Sequence, residues 1–304
     1  MSTVLFTKCS FNKTNPNGSC FQDSTVKKIA KYTNGNDLNE IKKETKCVDD
    51  ECILEKVKIP TEVKDQIIRE TFKPTAGSFD HNYWLNNTEI DNCMSQLRAL
   101  FPGFSHGFIH MSDMKSFPPS NLHSFDYKVL SCNDIDFGNE FKHALITPND
   151  KSFVSQLSTY DNKPLTSYGI VFNTDSSSGS GQHWFSVFIS TDQRDPDNLS
   201  QPWIRIEMFN SSGNSISSSI FNNFWEKTAI DIAMKTGYKC TFEQITTIQH
   251  QKDDTGNCGS YSLFYIYSRL NKVHPSEFNN PNRLVTDFAM QKFRQVCFQL
   301  ESKK

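Results

Sequence analysis

Four side chains in this chain of 304 residues have the types needed for acyl transfer through a thiol. Cys258 offers a sulfur nucleophile and His183 a base that titrates near neutral pH. Asn210 carries an amide able to orient an imidazole, and Gln251 an amide N–H able to meet an oxyanion. A free thiol titrates at about 8.5, so a nucleophilic cysteine needs a cationic neighbour or a helix N-terminus. Cys258 stands just before the apolar run Tyr261 to Leu270, which puts it in a first helical turn, where the macrodipole favours the thiolate. Gly259 lets the backbone pass close to a reacting carbon. In this reading His183 is base and then ion-pair partner, Asn210 holds one of its ring nitrogens, and Gln251 points its amide at the oxyanion beside the Cys258 N–H. Each residue alone has a plainer reading. A cysteine before an apolar helix is ordinarily a small buried hydrophobe. A histidine in a strand is ordinarily structural, and Asn210-Ser211-Ser212-Gly213 is an ordinary turn. What distinguishes them is that all four sit at the edges of strands and helices, where a site is built.

Short aromatic or β-branched runs bounded by turn residues predict strands at Tyr168–Asn173, His183–Ser190, Trp203–Phe209 and Tyr238–Ile248. Cys258–Leu270 is apolar on nearly every side, which suits a buried central helix, with a strand as the other option. An apolar stripe predicts a helix from Asn87 (Ile90, Met94, Leu97, Phe101), with Asn86 or Asn87 as its cap. Others are predicted at 215–235 (Phe221, Phe224, Trp225, Ile232) and 285–300 (Phe293, Cys297, Leu300), the last capped by Thr286. Residues 102–150 read as irregular, and Thr174–Gly181 as a flexible loop entering the histidine strand.

Residues 1–77 differ in character. They hold 13 basic and 11 acidic residues with little continuous apolar sequence, so they form a mixed solvated face rather than a basic arm. Helices are expected at 25–32 and 61–72, the second behind Pro60, and 74–78 reads as a linker. The division is therefore a mainly helical arm, 1–77, and a larger α+β unit, 78–304. A net charge of −2 gives no global field for nucleic acid. No apolar window is long enough to span a membrane, and no signal-peptide block opens the chain. Nine cysteines, an odd and scattered number, argue for free thiols in a reducing compartment rather than a disulfide framework.

The ordered pieces resemble the ubiquitin-like protease superfamily, which holds the SUMO proteases and the adenovirus protease. The resemblance is carried by His183-Trp184 on a strand, an Asx residue (Asn210) closing the next strand, and Gln251 ahead of Cys258-Gly259. The order His, Asx, Cys fits that superfamily, whereas papain-type enzymes run Cys, His, Asn. Trp84-Leu85-Asn86 is similar to the Trp-Leu start of the SUMO-protease core. Phe172-Asn173-Thr174-Asp175, Phe209-Asn210-Ser211-Ser212-Gly213-Asn214 and Cys258-Gly259-Ser260-Tyr261 bring it nearest to polyprotein-processing cysteine proteases of the African swine fever virus type. Lys42-Lys43-Glu44-Thr45 and Cys47 to Cys52 extend the similarity into the arm.

The resemblance implies an α+β fold: a papain-like cysteine protease core, its central helix carrying Cys258 and packed on a mixed or antiparallel sheet, beside a smaller helical arm. It implies Cys258 as nucleophile, His183 as base, Asn210 as orienter and Gln251 as oxyanion donor. Trp84 and Trp184 match residues flanking a narrow tunnel that admits Gly-Gly and excludes any Cβ. The expected activity is viral endopeptidase cleavage of structural polyproteins at Gly-Gly-Xaa sites, with no cofactor, metal, membrane or nucleic acid, by a monomer in the host cytoplasm (viral factory) and the virion. The alternatives are a deSUMOylating or deubiquitinating protease and a non-catalytic virion scaffold. Two departures stand out. SUMO proteases usually carry Asp at the Asn210 position and after Trp-Leu, where this chain has Asn86. Gln251 lies seven positions before Cys258, one more than is usual.

Other groupings are weaker. Cys47 and Cys52 have a ligand-like gap, but Cys9 and Cys20 do not complete a zinc site, so free structural thiols are expected for all four. His106 and His110 lack the Glu of a His-Glu-x-x-His motif and read as packing or loop residues. His250 is expected to make a structural hydrogen bond.

Overall fold

The structure, a computed structural model, describes residues 8–76, 82–106, 166–175, 179–195, 198–213, 219–236, 238–245, 248–252 and 255–300. Most of the segment read as irregular, including His110, lies outside the described residues.

Five strands form one mixed sheet: β2 (Phe104–His106), β3 (Ser167–Asn173), β4 (Trp184–Asp195), β5 (Asn198–Phe209) and β6 (Lys239–Ile245), side by side in chain order. The two outer pairings, β2 with β3 and β5 with β6, are parallel, and β3, β4 and β5 are antiparallel. Alternation along the strands divides the side chains between two faces. Tyr168, Ile170, Phe172, Phe185, Val187, Ile189, Ile204, Ile206 and Met208 face one cluster, completed by Trp225, Ala229 and Ile232 of a helix at Ser219–Thr236. Val171, Trp184, Phe188 and Phe209 face the other, filled by the helices Asn87–Leu100, Cys258–Leu270 and Asp287–Cys297. The result is an α+β core of three layers with the sheet in the middle.

Among the described residues the α-helices are, in chain order, α1 (Asp23–Ala30), α2 (Leu38–Thr45), α3 (Asp50–Lys56), α4 (Thr61–Thr71), α5 (Asn87–Leu100), α6 (Ser219–Thr236), α7 (Cys258–Leu270) and α8 (Asp287–Cys297). The helix starts follow the capping chemistry of the sequence. Asn86 accepts from the Glu89 N–H while Glu89 reaches back to the Asn86 N–H, a closed capping box on α5. Thr286 caps α8 through the Ala289 N–H. Asn86 thus has a structural duty as the cap of α5.

α7 is tied to the sheet by a buried polar cluster. Glu207 of β5, fully buried, takes a forked pair from Arg269 at 2.6 and 3.1 Å and the Tyr265 hydroxyl at 2.9 Å. Phe209 stacks on Tyr265 with ring centroids 4.6 Å apart. Together these fix where the first residue of α7 lies relative to the ends of β4 and β5.

The arm differs from its sequence reading in four respects. α2 and α3 were not expected; each is held by an aspartate N-cap, Asp37 and Asp49, rather than by a long stripe. The four arm cysteines are not free thiols but two disulfides, Cys9–Cys20 and Cys47–Cys52. Each bridge is local, joining cysteines 11 and 5 positions apart. The expected linker contains β1 (Thr75–Ala76), which pairs in parallel with β7 (Gln299–Leu300). The last helix accordingly stops at Cys297, and Leu300 belongs to a strand. The arm also reaches the core: Phe11, part of the core cluster, stacks on Tyr267 at 5.2 Å, Ser10 donates to Gln96, and the Lys73 ammonium donates to the Gln295 carbonyl. No described helix is long and apolar enough to cross a membrane.

Candidate active site

His183 lies one residue before β4, at the end of a loop returning from β3. Asn173 gathers that loop: its Oδ1 accepts from the N–H groups of Asp175 (2.8 Å) and Gln182 (3.1 Å). Asp175 accepts from the Gly181 N–H, and the Thr174 N–H donates to the His183 carbonyl. Gly181 sits at φ +91°, a left-handed conformation in which a side chain would be strained. The described part of this loop is therefore pinned close to the histidine.

The His183 Nε2 and Asn210 Oδ1 are 2.6 Å apart. Asn210 Oδ1 also accepts the Ser212 N–H at 3.1 Å, which identifies it as the amide oxygen. Nε2 therefore carries the hydrogen, and Nδ1 is left as the basic nitrogen. Asn210 directly follows β5 and opens a turn in which Gly213 has φ +71°. A Cβ on Gly213 would lie 2.4 Å from the Gln249 nitrogen, so the turn packs tightly on the segment leading to Gln251.

Cys258 opens α7 and is buried. The main-chain N–H of Trp184 points at its sulfur, as do its own N–H and that of Gly259. The sulfur thus lies beside the residue that follows His183. Burial nevertheless pushes the Cys258 thiol up to about 11, against the pull of those three N–H groups. Burial also pulls His183 below its ordinary value, opposed by its bond to Asn210. Both shifts favour a neutral thiol and a neutral imidazole. The expected first-turn position of Cys258 holds, and burial there works against the thiolate that a helix N-terminus favours.

Gln251 is buried, and both ends of its amide are engaged. Its Oε1 accepts the Ser211 hydroxyl at 2.8 Å, and its Nε2 donates to the Thr255 carbonyl at 2.6 Å. One amide N–H remains. The segment between Gln251 and Cys258 is gathered by Asp287 of α8, which accepts from the Lys252 N–H, the Thr255 hydroxyl and the Asn257 amide. This carboxylate ties Lys252, Thr255 and Asn257 to the start of α8.

The two tryptophans are placed differently. Trp84 is 45% exposed, and a Cβ on Gly256 would lie 2.4 Å from its Cδ1. Trp184 is 3% exposed and donates its indole N–H to the Leu85 carbonyl at 2.9 Å. A Cβ on Gly259 would lie 3.2 Å from Trp184 Cδ1. Both rings therefore border the start of α7, Trp84 as an open wall and Trp184 as a packed one. His250 makes the structural bonds expected of it, Nε2 to the Phe278 carbonyl and Nδ1 from the Val285 N–H. His106 lies 3.9 Å from Asp91, away from these groups. Ser211, Asn173, Asp175 and Asp287 were not singled out from the sequence. Ser211 sits inside the turn motif and could have been; Asp287, thirty positions beyond Asn257, gives no local signal.

An α+β fold with a buried thiol at the head of its central helix, next to the residue that follows a hydrogen-bonded histidine, is the arrangement of the cysteine-protease class. Comparison with known proteins narrows this. The chain is similar in sequence to the SUMO-1 cysteine protease of African swine fever virus. That protease from the Kenya KEN-50 isolate is 35% identical over 138 residues, 45% of this chain and 46% of that protein. The chain thus spans about half the length of such curated relatives. The corresponding cysteine protease of the Malawi Lil 20-1 isolate is 29% identical over 231 residues, 76% of this chain and 73% of that protein. The crystal structure of the African swine fever virus protease shares the fold, with a TM-score of 0.58 and 22% identity, covering 98% of both chains. No protein-family model matches the chain.

Proposed function

We propose that this chain is a viral SUMO-protease-type cysteine endopeptidase that cleaves structural polyproteins after Gly-Gly during virion maturation. The observation that carries the reading is the 2.6 Å His183–Asn210 bond next to a sulfur held by the Trp184 N–H. His183 Nδ1 takes the Cys258 proton as the sulfur attacks the scissile carbonyl carbon. The resulting oxyanion is met by the Cys258 N–H and the remaining Gln251 amide N–H. Collapse breaks the C–N bond, and His183 returns its proton to the leaving amine. Water, deprotonated by His183, then adds to the thioester and expels the thiolate, which recovers the proton. Asn210 keeps the imidazole in the Nε2–H form throughout. The rings of Trp84 and Trp184 at the head of α7 support glycine before the scissile bond, since a Cβ there would have to pass between them.

The proposed substrates are viral structural polyproteins with Gly-Gly-Xaa sites, met by a monomer in host-cytoplasmic viral factories and in the virion. The name "SUMO-1 cysteine protease", given to relatives, favours a second reading: removal of ubiquitin-like modifiers from host proteins. Mass spectrometry of a precursor polyprotein after incubation separates them. The first reading predicts new termini after Gly-Gly, lost with Cys258→Ala while that variant stays folded. Rapid labelling by SUMO- or ubiquitin-vinyl sulfone with an intact precursor supports the second, and cleavage by Cys258→Ala dismisses both.

A further inference from the structure

We propose that Ser211 is a positioning residue that sets the amide of Gln251, so that a single turn carries both the histidine orienter and the support of the oxyanion donor. The inference deepens, and rests on, the reading of Gln251 as oxyanion donor.

Ser211 is 1% exposed, and its hydroxyl donates to Gln251 Oε1 at 2.8 Å. Its carbonyl accepts the main-chain N–H groups of His250 (2.9 Å) and Gln251 (3.0 Å). Ser211 therefore grips Gln251 at both backbone and side chain. An amide has two faces that differ only in exchanging O for NH₂. At Gln251 the Thr255 carbonyl accepts from the amide at 2.6 Å, which requires nitrogen on that side. With nitrogen facing Thr255, oxygen faces Ser211, where only a donor satisfies it. The two contacts together select one orientation and leave one N–H for a substrate oxyanion. Removing the hydroxyl leaves a buried amide oxygen without its donor, and the side chain is then free to turn. The neighbouring Asn210 uses its own side chain on His183. The two jobs are on adjacent residues but run through separate atoms, so they can be tested separately.

The test compares Ser211→Ala, Ser211→Thr, Gln251→Ala and the Ser211→Ala/Gln251→Ala pair in the full chain. Turnover is measured on a Gly-Gly peptide, and the rate at which iodoacetamide alkylates Cys258 is followed across pH. Alkylation involves no oxyanion, so it reports the thiol and His183 but not Gln251. Loss of an oxyanion donor costs on the order of 100- to 1000-fold in kcat, so misaiming one is expected to cost about 10- to 100-fold with KM little changed. Ser211→Thr, which keeps the hydroxyl, retains most of the rate. Ser211→Ala keeps the wild-type alkylation profile, and the double variant is no slower than Gln251→Ala alone. If Ser211→Ala fails to fold, Ser211→Cys, nearly isosteric and a weak donor, takes its place in the same comparison. Wild-type turnover in Ser211→Ala, losses that multiply in the double variant, or an alkylation profile that moves with kcat would each overturn the proposal. Wild-type turnover in Gln251→Ala would instead overturn the oxyanion reading itself, and this inference with it.

Discussion

The Cys258 sulfur and the His183 ring each resist the charge they would carry in an ion pair. Burial raises the first to about 11 and lowers the second. The pair is therefore suited to proton transfer during attack, with His183 as general base, rather than to storing a thiolate. The task of Asn210 in that scheme is to hold one tautomer. Asn210→Ala removes the acceptor for Nε2–H and is expected to lower kcat about 100-fold, the scale of general-base catalysis. Asn210→Asp keeps an acceptor for both Nε2–H and the Ser212 N–H, and steady-state kinetics should show most of the rate retained. Equal losses in the two variants would remove Asn210 from the mechanism.

Elements position these residues through a few buried anchors. The forked Arg269–Glu207 pair, with Tyr265 on the same carboxylate, joins α7 to β5 and so sets the height of Cys258 over the strand ends. Removing one partner of a buried pair strands the other charge, so Glu207→Leu is expected to cost about 3–5 kcal/mol in denaturant unfolding. A loss near zero would mean that packing alone seats the helix. The elements nearest this anchor were also the most legible. β3 and the described side chains of β4 and β5 are mostly aromatic or β-branched and buried on both faces, which marked them as strands, while α7, apolar almost all round, left helix and strand both open. The caps at Asn86 and Thr286 were equally plain. α2 and α3, of eight and seven residues, are too short to show a periodic stripe. The β1–β7 pairing joins distant segments and leaves no trace in local spacing, whereas the two disulfides join near neighbours whose spacing suits free thiols equally well. In the candidate site, Cys258, His183, Asn210 and Gln251 could be singled out because their chemistry is rare in that order. Ser211 and Asp287 were not, because a serine or an aspartate acquires meaning only from what it touches.

Across the whole molecule, a buried histidine, His250, and a half-buried one, His183, tie stability to pH. Burial lowers both His183 and His250, and His250 has both ring nitrogens satisfied in its neutral form. The unfolded chain binds protons at these sites at an ordinary value of about 6.5, whereas the folded chain does so only at lower pH. Below about 6.5 the unfolded state thus holds more protons, so stability falls as pH drops through that range and is fully present above it. Thermal unfolding from pH 8 to pH 5 should show a falling midpoint, with a shallower slope in His250→Gln. A flat profile would mean that other groups compensate. The arm adds to this global stability through Phe11, wedged against Tyr267 and Phe293 of the core. Phe11→Ala is expected to cost about 3–5 kcal/mol, as for other buried phenylalanines, and to lower the midpoint of the core as well as the arm. Unfolding of the core at its wild-type midpoint would show that arm and core are energetically separate.

The most direct test of the central claim is to trap the nucleophile with a peptide that ends in Gly-Gly-vinyl sulfone and to map the adduct by mass spectrometry. A single adduct on Cys258, formed rapidly in the wild type and slowly in His183→Ala, is the predicted result. Labelling spread over Cys93, Cys240 and Cys297 as well, at rates indifferent to His183, would contradict it.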